Sequence, residues 1–432
     1  MKLEQLYDIY LQYPSIQTDT RKLKAGDLFF ALKGEKFNGN QFASKALESG
    51  AAYAIIDQSE FDIPGKTIVV EDVLSTLQEM ALYHRKQFSI PFIAITGSNG
   101  KTTTKELIHA VLSSSYTTYT TEGNLNNHIG VPLTILKIRD DAQMAVIEMG
   151  ANHRGEIASY CKIALPTHGL ITNCGKAHLE GFGGVEGVRK GKGELFDYLR
   201  ENDGLAFLIN DYDYLLEMSR GIKEIFTYGT HNADIVGNVL QSDPFLDVKF
   251  TEGINRVLKT NLVGNYNLPN ILAAVAVGKY FKVPEQKMQT AIEGYSPTNS
   301  RSQMVEKNSN RIILDAYNAN PSSMKAAIEN FASLHAGEIA GNDHKILVLG
   351  AMAELGPESP DEHKALVDEI KQHNWKEVLL VGGDFLNIEH PFKQFTTAID
   401  AGEWLKQKNI HHSYILVKGS RSMAMEKVME YI

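Results

Sequence analysis

The sequence predicts an α/β chain of three domains, and three observations carry that expectation. Short apolar, β-branched runs recur, each followed by Gly or a polar residue and then a helical pattern. Strands alternating with helices in this way build parallel sheets covered by helices. The length of 432 residues corresponds to roughly three domains at about 150 residues each. The hydrophobic fraction of 43% and charged fraction of 22% lie near globular averages, which excludes disorder, collagen and coiled coil as overall descriptions.

The first block covers residues 1–88. Its expected strands are Leu28–Leu32, Tyr53–Ile56 and Thr67–Val70. A helix over Phe42–Ser49 stops at Gly50, a usual C-terminal stop, and a second helix runs from Val73 to Lys86. The middle block, residues 89–299, opens after Pro91 with the strand Phe92–Ile95. It continues with Ala145–Ile147, Gly169–Ile171, a β-alternating section from Gln241 to Thr260 and a helix over Leu268–Phe281. Gly294–Ser300 has linker composition. The last block, residues 300–432, repeats one shape four times, in Ile312–Asp315, Ile346–Gly350, Val378–Gly382 and Ile415–Gly419. Ligands of open α/β sheets bind at the carboxyl ends of the strands, so the residues closing these runs are site candidates; tight turns account for about half of the glycines.

Forty-three basic residues against 52 acidic ones give a net charge of −9, which opposes a broad nucleic-acid footprint because phosphate backbones demand a basic face. Cys161 and Cys174 are the 2 cysteines, too few for a disulfide framework and not in a Cys-x-x-Cys pair. The segment Met1–Asp8 has acids where a signal peptide needs an apolar core, and no stretch approaches the roughly 20 apolar residues of a membrane span. A cytoplasmic enzyme, monomeric and without a membrane span, is expected.

Thr96-Gly97-Ser98-Asn99-Gly100-Lys101-Thr102-Thr103-Thr104 follows a clean apolar strand and opens a helix whose buried face would be Leu107, Ile108, Val111 and Leu112. Glycines let backbone N–H groups converge on phosphate oxygens, the helix N-terminus adds positive potential, and the lysine reaches the terminal phosphates. The hydroxyl after that lysine, Thr102, is the usual magnesium ligand. The common phosphate loop has Gly where Ile95 stands, so this is a shortened variant beginning at Gly97. The central domain is therefore expected to be a parallel sheet of the P-loop ATPase type, with a Rossmann-like α/β domain at the C-terminal end.

Magnesium beside such a loop needs oxygen or imidazole ligands. Glu148 closes a strand on the same edge, a position equally consistent with a metal ligand and with a solvated or capping carboxylate. His178 alone in a loop reads as a structural or surface residue, and Lys190 and Lys192 as the basic start of a helix that could touch phosphates.

Taken together these segments resemble the Mur ligases of bacterial cell-wall synthesis, over essentially the whole chain. The resemblance rests on Asp19-Thr20-Arg21 with Gly26–Leu32, on Thr96–Glu106, and on Gly123–Thr134 with its run Asn124-Leu125-Asn126-Asn127. It rests further on Glu148–Asn152, His178–Gly183, Asp315–Pro321 and Lys418–Glu426. The family uses the shortened loop. The Asn-rich segment before Val131-Pro132 and Tyr317-Asn318-Ala319-Asn320-Pro321 are similar to the branch that joins D-alanyl-D-alanine to UDP-N-acetylmuramoyl-tripeptide. The latter segment argues against the alternatives, siblings or folylpolyglutamate synthases that add a single amino acid. A nucleotide-driven switch would need neither the His178 and Lys192 pair nor a third α/β domain.

The resemblance implies roles by position. ATP would lie on Gly97, Ser98, Asn99, Gly100, Lys101, Thr102 and Thr103, with Asn267 near adenine, Asp315 near ribose and Arg301 at the start of the third domain. Two magnesium ions would be held by Thr102, Glu148 and His178, and by Lys192 once carbon dioxide converts it to a carbamate. That conversion would turn a cation repelling magnesium into a carboxylate attracting it. Lys101, Lys192 and His178 would be the catalytic residues. Asp19, Thr20 and Arg21 would bind the uridine diphosphate, making the first block a UDP-binding domain, and the third domain would close on ATP. Asn126, Asn127, Asn318, Asn320, Lys418, Ser420 and Arg421 would complete the substrate sites. The chain departs from the family's usual Asp-Gly-His at Asn38-Gly39-Asn40, and from its usual His at Tyr266. No nucleophilic Ser or Cys constellation is evident; the group that takes the amine proton is not legible in the sequence, and His128 is only a weak candidate for it.

Overall fold

The computed structural model describes residues 2–298, 300–334 and 344–432 and contains three main sheets. The first has four parallel strands, in the order Ile16–Gln17, Leu28–Phe30, Tyr53–Ile56 and Thr67–Val69. Its alternation feeds two cores. Leu28, Phe30 and Ile55 join the largest buried cluster, while Phe29, Ala54 and Ile56 pack with Ala43 and Ala46 on the other face. Both faces of a parallel sheet are covered, so both alternating sets are apolar.

The second sheet has nine strands. Seven are parallel, ordered Thr118–Thr120, Met144–Glu148, Phe92–Thr96, His168–Ile171, Leu205–Ile209, Glu224–Gly229 and Ile235–Ser242. Phe245–Glu252 and Val257–Val263 extend it antiparallel, which is the alternating section of the sequence. The strand Phe92–Thr96 is buried throughout and lies between Met144–Glu148 and His168–Ile171, so the loop after it opens inside the sheet's carboxyl edge and not at its rim. The helix Lys101–Ser113 then covers the sheet with Leu107, Ile108, Val111 and Leu112 fully buried, as the sequence periodicity predicts. Behind it runs Leu268–Tyr280, apolar nearly all round and buried nearly all round. The close approach of the two helices needs Gly278, whose added Cβ would lie 2.6 Å from Val111 Cγ1.

The third sheet runs Gln303–Lys307, Asn310–Asp315, Tyr414–Lys418, Lys345–Gly350, Glu377–Val381 and Lys393–Phe395, with only the first pair antiparallel. All four expected strands of this block are present. Leu347 and Leu349 face the large cluster while Ile346 and Val348 face a separate one with Ile415 and Val417. The expected linker Gly294–Ser300 follows the helix Glu285–Gly294; Asn299, the expected last residue of the middle block, lies outside the described residues. No described helix is long and apolar enough to cross a membrane.

Candidate functional site

A cleft of about 900 Å³ opens where the carboxyl edges of the second and third sheets face one another. The phosphate loop forms its floor. Gly97 has φ +144° and Gly100 φ +80°, conformations that favour glycine. Space is as restrictive as backbone, because an added Cβ would lie 2.0 Å from Thr172 Oγ1 at Gly97 and 2.5 Å from Asn270 Oδ1 at Gly100.

A residue without an assigned role braces the loop. Asn173 Oδ1 accepts from Asn99 N–H (3.0 Å), and Asn173 O accepts from Ser98 N–H (2.9 Å). Asn173 Nδ2 and Thr172 Oγ1 both donate to Asn99 O, at 3.1 and 2.6 Å. Asn99 and Ser98 thus spend their amides on the brace, which leaves the helix's first turn, beginning at Lys101, to present N–H groups to an anion.

Lys101 Nζ is folded back onto its own loop, donating to Gly97 O (2.7 Å) and Ser98 O (3.1 Å). Burial lowers its pKa, the Arg301 charge lowers it further, and Glu148 opposes both. An ammonium held by carbonyls alone, with a second cation facing it, is poised for a polyanion.

Glu148 ends its strand almost completely buried and lines the cleft. Its Oε1 accepts from Asn126 Nδ2 (2.7 Å), whereas its buried Oε2 has no hydrogen-bond partner. A buried, unpartnered carboxylate oxygen is costly unless something cationic completes it. With the Thr102 hydroxyl also on the cleft wall, this donor set fits a hard divalent ion. Among the described residues no three His, Cys, Asp or Glu side chains converge on one point, so phosphate or other oxygens would have to complete the shell. Glu148→Gln should raise the magnesium concentration needed for half-maximal activity by at least about 10-fold, measured by magnesium titration at saturating ATP.

Lys192 lies beneath this wall on the helix Val185–Glu201. It is 1% exposed, its Nζ donates to Ala151 O (2.9 Å), and Phe182 lies 5.0 Å from it. No carboxylate is paired with it among the described residues. Burial lowers its pKa to about 7, with the Lys101 charge adding to the effect. A neutral amine is the form that reacts with carbon dioxide, so this environment fits the carbamate the resemblance implies. His178 Nδ1 is buried and lies against a carboxylate oxygen of Glu354 from the third sheet's unit.

On the opposite wall the register places Asp315 beside Lys418. Lys418 Nζ donates to Asp315 Oδ2 (2.6 Å), and Asp315 Oδ1 accepts from Ser302 N–H (3.0 Å). Arg301 lies 3.6 Å over the Tyr317 ring. Tyr266, at the family's usual His position, pairs its hydroxyl with Ser302 Oγ (2.9 Å). Asn267 is buried, with Nδ2 donating to Val263 O (2.8 Å) and Oδ1 accepting from Asn270 (2.8 Å). The two walls touch at the loop itself. Asn320 Nδ2 donates to Asn99 Oδ1 (2.7 Å), while Asn320 Oδ1 caps the helix Pro321–Ser333 at Ser323 N (2.9 Å).

The structure therefore brings together on one cleft Ser98 to Thr103, Asn126, Asn127, Glu148 and His178 from one side. From the other come Arg301, Asp315, Asn318, Asn320 and Lys418, with Asn267 between them. Asn127 Oδ1 is committed to capping Gly130 N–H (2.9 Å), and Asn318 Oδ1 to Ala319 N–H (2.9 Å). His128 is also on the wall. Gly97, Lys192, Ser420 and Arg421 lie off it. Ser420 is buried and donates to Ala351 O (2.6 Å); Arg421 reaches Glu426 (3.5 Å). Asp19, Thr20 and Arg21 are elsewhere, with Arg21 Nε donating to Asp19 Oδ1 (2.9 Å). That partner holds the Asp19 carboxyl down at about 2.

A phosphate loop on one sheet, a cation–carboxylate wall on another, and a cleft between them define a nucleotide-using enzyme that works between two α/β units. The chain belongs to the Mur ligase family. The model of the Mur ligase middle domain matches residues 95–278, that of the Mur ligase glutamate ligase domain matches 300–427, and that of the Mur ligase family catalytic domain matches 12–90. The UDP-N-acetylmuramoyl-tripeptide–D-alanyl-D-alanine ligase of Bacillus subtilis (strain 168) is 35% identical over 428 residues, covering 96% of this chain and 92% of the relative. That of Escherichia coli (strain K12) is 35% identical over 435 residues, at the same two coverages. Among solved structures, MurF from Acinetobacter baumannii superposes with TM-score 0.86 at 32% identity, covering 96% of this chain and 92% of that one. The MurF ligase of Thermotoga maritima in complex with ADP gives TM-score 0.84 at 26% identity, over 98% of this chain and 97% of that one.

Proposed function

We propose that this chain joins D-alanyl-D-alanine to the terminal carboxylate of UDP-N-acetylmuramoyl-tripeptide at the expense of ATP, giving the pentapeptide precursor of peptidoglycan, ADP and phosphate. The observation that carries the reading is similarity along nearly the whole chain to ligases of that name. The cleft has the chemistry the reaction needs, because ATP-driven activation of a carboxylate requires charge neutralisation and in-line placement more than covalent help.

In the first step a carboxylate oxygen of the tripeptide bonds to the γ-phosphorus as the bond to the β-phosphate oxygen breaks, releasing ADP. Lys101 leaves its two loop carbonyls for the β- and γ-phosphates, and the first turn of Lys101–Ser113 supplies N–H groups. Glu148, the Thr102 hydroxyl, His178 and carbamylated Lys192 would hold two magnesium ions, which supply Lewis-acid neutralisation of the phosphates. In the second step the dipeptide amine bonds to the acyl carbon, the bond from that carbon to the phosphate oxygen breaks as the tetrahedral intermediate collapses, and the amine proton leaves with the expelled phosphate or to solvent. Arg301, Asp315 and Asn267 lie where a nucleotide spanning the two walls would be gripped. Apposition of the third unit, through Asn320 on Asn99, shields the acyl phosphate from water.

By the same reading residues 1–88 bind the UDP portion, 89–299 the ATP, and 300–432 close on the nucleotide and hold the dipeptide. The chain would act as a cytoplasmic monomer. The test is phosphate release from ATP and magnesium with the UDP-muramoyl tripeptide, comparing D-alanyl-D-alanine, D-alanine and lysine as acceptors. Release that requires the dipeptide, with pentapeptide mass, is expected. Release with a free amino acid alone would reassign the chain to a single-residue ligase.

A further inference from the structure

His178 and Glu354 face one another across the junction of the second and third units, and both are held in left-handed backbone conformations, with φ +52° and φ +62°. Neither is glycine, and such strain persists only where the surroundings enforce it, commonly at functional sites. The surroundings do enforce it. Glu354 lies on the loop after the strand Lys345–Gly350, and that loop is pinned by buried His363, whose Nε2 accepts from Met352 N–H (3.0 Å). It is pinned again where Ser420 Oγ donates to Ala351 O (2.6 Å). Across the junction, Glu180 N–H reaches Glu354 O (3.4 Å).

The ring of His178 is thereby sorted. Among the described residues its buried Nδ1 has no hydrogen-bond partner elsewhere and lies against the Glu354 carboxylate alone, whereas Nε2 is bonded to no protein group and His178 lines the cleft. A carboxylate on one imidazole nitrogen fixes the proton there and leaves the lone pair on the other, the usual arrangement behind a metal-ligating histidine.

The geometry points to Glu354 as a positioning residue for the second metal site: carried by the third unit, it holds Nδ1 of His178 so that Nε2 faces the cleft, and that site is complete only when the units are apposed. The inference rests on the proposed metal role of His178. It gives the junction a second task beside shielding, since apposition would assemble a ligand as well as exclude water.

The test titrates Mn2+ into the full chain with β,γ-methylene-ATP and the UDP-muramoyl tripeptide, counting sites and affinities by electron paramagnetic resonance. Wild type should bind two ions. Glu354→Ala should weaken the second by about 10-fold or more, leave the first within about twofold, and show the wild-type thermal midpoint without metal. Glu354→Gln, which can still accept from Nδ1–H, should be intermediate. His178→Ala should weaken the second ion at least as much as Glu354→Ala does. If His178→Ala weakens the second ion while Glu354→Ala leaves it intact, the positioning role of Glu354 is overturned and the metal role of His178 stands. A wild-type chain binding one ion, or a His178→Ala variant binding two normally, overturns both.

Discussion

Lys101→Ala should abolish ligation, with kcat lower by about 10³-fold or more and the fold intact. Lys101 begins a helix, where alanine is well tolerated, and its Nζ has no partner beyond two carbonyls of its own loop. Removing it breaks no ion pair; it frees two loop carbonyls and takes one cation from the neighbourhood of Glu148, so the loss of stability is modest beside the loss of chemistry. What is lost is the cation that follows the β- and γ-phosphates as negative charge shifts during transfer. Circular dichroism and a thermal midpoint near wild type, beside absent phosphate release, would separate chemistry from folding. A near-normal rate would remove the phosphate-loop assignment.

The second large effect concerns Lys192. Lys192→Ala should sharply reduce kcat and allow partial rescue by formate or acetate, which can occupy the vacated space as a carboxylate. With a pKa near 7, the amine is about nine-tenths neutral at pH 8, against well under about 1% for an ordinary lysine. The sign follows from that. Because only the neutral amine takes up carbon dioxide, activity lost in carbon-dioxide-free buffer should return on adding bicarbonate, faster above pH 7 than below pH 6. Labelled bicarbonate should give a carbamate carbon resonance in wild type that Lys192→Ala lacks. Full activity in the variant, without a response to carboxylic acids, would remove the role.

Much of the frame is readable from residue order. Fully buried parallel strands are continuous apolar runs, so Phe92–Thr96, Lys345–Gly350 and Tyr414–Lys418 announce themselves, and the phosphate loop follows the first. Elements with polar or half-exposed patterns do not. Gln303–Lys307 and Lys393–Phe395 are edge strands without an apolar face, and Glu224–Gly229 begins with two exposed residues. The strand Leu205–Ile209 and the helix Leu3–Gln12, whose buried Leu6, Tyr7 and Tyr10 keep helical spacing, lie beyond the sequence expectation although their patterns carry the signal.

The site divides the same way. Lys192 reads locally as a basic helix start, yet it falls on the stripe of Val188, Gly191, Leu195, Phe196 and Leu199, so helical spacing already marks it as a lysine facing the core. Asn173 and Glu354 had no such signal. One acts through loop amides 74 residues away, and the other through a pairing between units that depends on two left-handed residues. Contacts of that kind arise from tertiary assembly and leave no periodic trace.

The account turns on the carboxylate being phosphorylated in this cleft before the dipeptide amine attacks. The direct measurement is to label the terminal carboxylate of the UDP-muramoyl tripeptide with 18O, react it with ATP and D-alanyl-D-alanine, and weigh the released phosphate. One 18O per phosphate is predicted, because the oxygen that attacks the γ-phosphorus stays with it when the acyl bond breaks. Unlabelled phosphate would mean that ATP is hydrolysed by water and would contradict the acyl-phosphate mechanism outright.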